Sequence, residues 1–241
     1  MDIVLIGGLW LPSHEWAPTV SPLAELGHRA LVVDLPGQDD DNGAATLSDQ
    51  LDAALTRIDE ANRPLVVGHS AAATLAWMVA DVAGDRIAGV AFIGGIPQPD
   101  GASYADFFPA VDGWMQFPGW EPFSGPDSAD LNEETKLRLQ AALRPVAATV
   151  SQSAVSLCNP DRFGIPVTII CPEFSPAEAR AWIDGGEVPE LTQIRRIKLV
   201  DIDSGHWPMV SCPNRLAVAL DEVAHWCEAE GVASSETGGL D

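Results

Sequence analysis

Six stretches of this chain are runs of Val, Ile and Leu with few polar interruptions. They are residues 2–8 (DIVLIGG), 29–37 (RALVVDLPG), 64–70 (PLVVGHS), 87–95 (IAGVAFIGG), 165–171 (IPVTIIC) and 197–203 (IKLVDID). Apolar runs of this kind read as strands buried on both faces, as in a parallel sheet covered by helices. The segments between them change period. Residues 14–27 have helical spacing and stop at Gly27. Residues 46–62 place Leu47, Leu51, Leu55 and Ile58 on one face, with Thr46 or Ser48 as the cap. Residues 71–84 (AAATLAWMVADVAG) are rich in helix formers, and 212–230 form a last amphipathic helix. Alternation of strand and helix predicts the α/β class, with a doubly wound, mostly parallel six-stranded sheet flanked by helices.

One region breaks the alternation. No strand pattern is evident from Ile96 to Gly164, and 105–131 is crowded with aromatic residues, Pro and Gly. Residues 132–143 and 146–157 look helical. An insertion between two core strands predicts a helical and irregular cap over the sheet's C-terminal edge, where open α/β sheets bind ligands. The expected organisation is a core of 1–95 and 165–231, a cap of 96–164 and a disordered tail of 232–241.

Charge narrows the function. Asp and Glu number 35 against 13 Lys and Arg, a net charge of −22. Such a surface repels nucleic acid and anionic membranes and disfavours a polyanionic substrate. No apolar run reaches the ~18 residues of a membrane span. The start, MDIVLIGG, is acidic and enters a strand pattern at once, whereas a secretory signal opens basic with a longer apolar stretch. The expected location is therefore cytoplasmic. Cys158, Cys171, Cys212 and Cys227 form no CxxC pair and no Cys/His cluster, so they read as reduced thiols, and no metal or cofactor is expected.

The candidate chemistry starts in LVVGHSAAATLAW, residues 65–77. Ser70 ends a buried strand and opens a helix, with Gly68 two residues before it and Ala72 two after. A Ser at so sharp a turn is forced into a strained conformation and needs small neighbours at those positions. The turn lifts Oγ above the sheet and aims a helix N-terminus at it, which stabilises developing negative charge. A helix cap alone would leave Gly68 and the alanines unexplained.

These features resemble the α/β-hydrolase superfamily over nearly the whole chain. GHSAA resembles the nucleophile elbow, with Ala72 in place of the last Gly of GxSxG. DIVLIGGLWLPSHEW is similar to the first core strand and oxyanion loop, with Gly7 where the family has His, Gly8 in its usual place and Trp16 where a Trp is expected. DLPGQDDD resembles the Asp-x-Pro-Gly-His-Gly turn, with Gln38 for the His and Asp39 for the last Gly. DSGHWPM resembles the late His motif. The resemblance implies a Ser, acid, His order along the chain and a Ser70 nucleophile activated by His206. His206 alone among the histidines sits on a loop off a strand's C-terminal end, on the same edge as Ser70.

The family places its acid after the fifth of these strands, as Gly, two residues, then Asp. Here Pro172 takes the Gly position and Ser175 the acid position, so Glu173 becomes the expected acid through a bend at Pro172. Asp100 is the alternative, on the strand after the elbow; Glu178, Asp201 and Asp203 are less well placed. The resemblance also implies an oxyanion hole from the Leu9 and Ala71 N–H groups. Trp10, His69, Phe107, Phe108, Trp114 and Trp207 are expected to line an apolar pocket, with Met115, Phe117, Trp120 and Phe123 nearby in the cap. The implied activity is a serine esterase or lactonase acting on a small to medium apolar compound. The alternatives are a lyase using the same triad, as in hydroxynitrile lyases, or a ligand-binding protein with little turnover. Ser at the elbow argues against the dehalogenase and epoxide hydrolase branches, which need a carboxylate nucleophile.

Overall fold

Six parallel strands lie in the order β2-β1-β3-β4-β7-β8. They are β1 (Asp2–Ile6), β2 (Arg29–Val32), β3 (Leu65–His69), β4 (Gly89–Ile93), β7 (Val167–Cys171) and β8 (Ile197–Asp201). The computed structural model describes residues 1–237, and of 231–237 only the helical backbone. The register is in step across the sheet: Leu5 lies beside Val32 and Val67, and Val67 beside Ala91. β3, β4 and β7 are fully buried, while the edge strands β2 and β8 are half-exposed. The strand order reverses between β1 and β3, which is where a sheet of this kind opens a crevice for ligand.

Successive side chains point to opposite faces, so each strand feeds two cores. On one face Ile3, Leu5, Val67 and Ile93 pack with Leu23 of α1 (Ala17–Glu25) and Leu216, Leu220 and Val223 of α9 (Pro213–Thr237). On the other, Val4, Ile6, Val66, Phe92 and Ile169 pack with Ala54 and Ile58 of α2 (Leu47–Asp59) and Leu75, Trp77 and Val79 of α3 (Ala72–Ala83). Ala179 and Ile183 of α6 (Pro176–Asp184) complete that layer. Two helix starts carry a capping box, Thr46 with Asp49 and Ser175 with Glu178. Residues 238–241, the end of the stretch expected as a tail, lie outside the described residues. Among the described residues no helix is long and apolar enough to cross a membrane.

Between β4 and β7 the chain makes a short antiparallel pair, β5 (Trp114–Met115) with β6 (Val146–Ala147), and the helices α4 (Glu133–Ala142) and α5 (Ala148–Ser151). The helix expected over 146–157 is thus reduced to one turn. Ser and Thr side chains there bond backbone carbonyls instead: Thr149 Oγ1 donates to Ala45 O at 2.5 Å and Ser153 Oγ to Thr149 O at 2.6 Å. Val155 N then pairs with Ala102 O at 2.8 Å, so tertiary partners replace helical ones. The short helices α7 (Pro189–Thr192) and α8 (Pro208–Ser211) follow β7 and β8. Cys212 separates α8 from α9, and α9 takes up the last expected helix from Pro213 onward.

The insertion is tied to the core at both sides. Ala147 N donates to Gly37 O at 2.8 Å, and Arg144 N to Trp10 O at 2.9 Å. Deeper in, buried Arg162 pairs with Asp81 of α3 at 3.1 Å and with Glu190 of α7 at 3.0 Å. Glu190 also accepts from Trp77 Nε1 at 2.9 Å, and Asp81 from the N–H groups of Cys158 and Asn159.

Candidate active site

Ser70 follows β3 directly, in the left-handed region with φ 54°. Its N–H donates to Ile93 O at 2.8 Å, which anchors the turn to β4. A side chain cannot be added to its small neighbours: a Cβ on Gly68 would run into the Ala72 carbonyl, and one on Gly95 into the carbonyl of Ser70. Glycines therefore make room for a strained serine whose hydroxyl stands at the mouth of α3.

His206 lies on the loop after β8. Its Nε2 is 2.9 Å from Ser70 Oγ, and its Nδ1 is 2.8 Å from Glu173 Oε1. Glu173 follows β7 by two residues, and its side chain and that of His206 are both largely buried. The carboxylate accepts only from Nδ1–H, which leaves Nε2 as the acceptor toward the hydroxyl. This is the arrangement in which an imidazole withdraws a serine proton and a carboxylate stabilises the imidazolium. A Cβ on Gly94 would come within 3.1 Å of both Glu173 Oε2 and His206 Nδ1, so this glycine clears the space for the pair.

The other candidates near the usual acid position are engaged elsewhere. Ser175 and Glu178 are committed to the capping box that starts α6. Asp100 accepts from Leu157 N at 2.9 Å and holds the insertion's own backbone. Asp203 is nearly fully exposed and sits 3.7 Å from Arg215.

Two backbone N–H groups lie on segments adjoining Ser70: Ala71 follows it directly, and Leu9 follows Gly8, whose Cβ would meet the Ser70 side chain. Among the described residues, neither the Leu9 nor the Ala71 N–H donates a hydrogen bond. Ala71 precedes α3, where helix N–H groups have no internal partner. Leu9 belongs to a tight turn, Gly8–Leu11, closed by Leu11 N to Gly8 O at 3.2 Å. A Cβ on Gly8 would approach Ser70 Cβ to 2.9 Å, so the turn lies directly against the serine.

His69 is buried behind the site. It bonds the carbonyl of His206 at 2.7 Å, and its ring lies 4.9 Å from that of His206. Burial first, then the neighbouring His206, pushes its pKa down to about 3, so at neutral pH Nε2–H is the donor. Burial likewise pushes the Cys171 thiol up to about 12, with Asp201 and Glu173 adding to the effect. The carboxyl of Asp127, half-buried beside this cluster, is raised by burial, opposed by His206 and reinforced by Glu173.

Aromatic side chains cover the relay. Trp10, fully buried, meets Phe108 and Phe117 at 5.5 Å and Phe123 at 6.0 Å. Phe123 lies over the His206 ring at 6.4 Å and near-parallel, and Trp207 meets it edge-on at 4.9 Å. Of the residues expected around the pocket, Phe107 is 55% exposed, and Trp114 lies against Gly43. The insertion also holds the histidine loop: Asp127 O accepts from His206 N and Asp130 Oδ2 from Gly205 N, each at 2.7 Å. Neither aspartate has a signal in the sequence, because both contacts cross more than seventy residues. Gly94 and Gly95, just after β4, stand in the sequence as the end of the fourth apolar run, with nothing to mark them as the space for a carboxylate.

Fold and relay together define the class. The chain belongs to the alpha/beta hydrolase family, whose profile matches residues 3–220. Among solved structures, it is similar to an extracellular alpha/beta-hydrolase from a Paenibacillus species, with 18% identity and a TM-score of 0.76, over 93% of this chain and 99% of that one. A methylesterase from Arabidopsis has 17% identity and a TM-score of 0.72, over 94% and 99%. A pyrethroid hydrolase from Sphingobium faniae has 20% identity and a TM-score of 0.68, over 93% and 97%. At these identities the likeness is one of fold. No curated protein matches the chain.

Proposed function

We propose that the chain is a serine hydrolase that cleaves an ester or lactone of a small to medium apolar compound. Ser70 Oγ attacks the carbonyl carbon while His206 Nε2 takes its proton and Glu173 stabilises the imidazolium. The carbonyl oxygen, now carrying the negative charge, accepts from the Leu9 and Ala71 N–H groups. Collapse expels the alcohol, which receives the proton from His206 and leaves an acyl group on Ser70. Water, deprotonated by His206, attacks that acyl group, and the acid departs as Ser70 is restored.

The observation that carries this reading is the unbroken relay from Ser70 Oγ through His206 to Glu173, at 2.9 and 2.8 Å. The rings of Trp10, Phe108, Phe117 and Phe123, packed together with Phe123 over His206, support an apolar substrate, since such a cluster favours carbon-rich groups. The ester class is in keeping with a structural neighbour that is a methylesterase. The test is release of nitrophenol from p-nitrophenyl acetate and butyrate at pH 7–8. Turnover is expected from the native chain, and Ser70→Ala is expected to lose on the order of ten-thousand-fold or more in kcat. Full activity in Ser70→Ala would overturn the assignment.

A further inference from the structure

We infer that Gln38 is a positioning residue that holds the Gly8–Leu11 turn with the Leu9 N–H aimed at the reacting centre; its catalytic consequence rests on the serine hydrolase reading above. Gln38 lies on the loop after β2 and is 2% exposed. Its amide is fully engaged with the turn. Nε2 donates to both Gly8 O and Leu11 O at 2.9 Å, and Oε1 accepts from Trp10 N at 3.2 Å. One side chain therefore satisfies three backbone groups, including both carbonyls that bracket the turn.

The turn needs such a brace. Trp10 is in the left-handed region with φ 65°, a conformation that a tryptophan adopts only when its surroundings impose it. The other constraints on Trp10 come from the insertion, through Arg144 N on its carbonyl and its own indole N–H on Met115 O. Among the described residues, Gln38 is the side chain that hydrogen-bonds the turn's backbone from the loop after β2. The brace is itself anchored. Gln38 N donates to Leu35 O, and the adjacent Asp39 carboxylate accepts from Leu35 N at 2.7 Å and Ser13 N at 2.8 Å. Asp39 thereby links the loop after β2 to the loop after β1.

With Gln38 in place, the turn's outward carbonyls and the Trp10 N–H are occupied, and the Leu9 N–H is left without a partner among the described residues. A group that must stabilise charge only in the transition state has to be held in advance, because a donor that reorients during reaction gives up its advantage. Remove the amide, and the Leu11 carbonyl and the Trp10 N–H lose their partners, Gly8 O is left with Leu11 N alone, and the strained turn relaxes.

Gln38→Met keeps the volume and deletes all three hydrogen bonds. It is expected to lower kcat for p-nitrophenyl butyrate by about 100-fold, the scale of losing one oxyanion donor, with KM little changed. Affinity for an aryl trifluoromethyl ketone, which adds to Ser70 as a tetrahedral adduct, should fall by the same factor. The acid limb of the pH profile should stay in place, since His206 is untouched. A second readout does not depend on turnover: in protein labelled with 15N-leucine, the Leu9 amide resonance should shift or broaden in Gln38→Met. If that variant does not fold, Gln38→Glu keeps the shape and loses the two donors, and the same measurements apply. A folded variant with native kcat, a loss confined to KM, or an unmoved Leu9 amide would overturn the inference. Absence of any turnover in the native chain would instead sink the hydrolase reading, and the Leu9 amide alone would then decide the role of Gln38.

Discussion

Ser70 is held at a φ of 54° by glycines on either side of it in space, Gly68 before the turn and Gly95 just beyond the next strand. The first of these is readable from the sequence, because the constraint acts two residues away. The second is not, because β4 brings it in from twenty-five residues along the chain. The acid shows the same division. Glu173 is the nearest carboxylate to the expected position, where Ser175 carries no carboxylate and caps α6, and it is Glu173 that meets His206 Nδ1. The longer glutamate side chain spans the gap from a position two residues early. If Glu173 is the group that orients His206, Glu173→Gln should lower kcat by up to about ten-thousand-fold, as the loss of a triad carboxylate does. Asp100→Asn should leave kcat near the native value, because Asp100 serves Leu157 N in the insertion. Steady-state kinetics of the two variants would distinguish them, and the reverse order would move the acid to Asp100.

The elements of the core were legible because each strand is a Val/Ile/Leu run and the helices between them show either one apolar face or, in α3, a run of strong helix formers. Sequence reading ran a few residues past most of them: β2 ends at Val32, where the pattern continued to Gly37. There the chain leaves the sheet to make the turn that carries Gln38 and Asp39. The insertion was less legible. Its aromatic residues pack on one another and on Trp10, and its backbone takes partners from distant loops, so local period says little. One tie between insertion and core is electrostatic. Arg162 lies buried between Asp81 and Glu190, with both acids also accepting neutral donors. Removing the cation alone leaves two buried carboxylates uncompensated. Arg162→Ala should therefore lower the unfolding free energy by about 3–5 kcal/mol in urea titration, and a loss below 1 kcal/mol would show the triad to be dispensable.

At the scale of the whole molecule, the strand order puts β3 at the switch point and gathers the loops after β1, β2, β3, β7 and β8 at one edge. Every member of the candidate site comes from that edge. Leu9 follows β1, Gln38 follows β2, Ser70 follows β3, Glu173 follows β7 and His206 follows β8. The doubly wound topology made that convergence predictable, while the distances within it depend on glycine clearances and on Asp127 and Asp130 reaching the histidine loop from the insertion. The net charge of −22 belongs to the same scale and sets the molecule against anionic partners.

The central claim is that Ser70 is a nucleophile activated by His206. It is tested most directly by treating the native chain with a fluorophosphonate at pH 7–8 and mapping the adduct by peptide mass spectrometry. One covalent phosphonyl group is expected, on Ser70, and it is expected to disappear in His206→Ala. No adduct on the native chain, or an adduct on another residue with Ser70 unmodified, would contradict it.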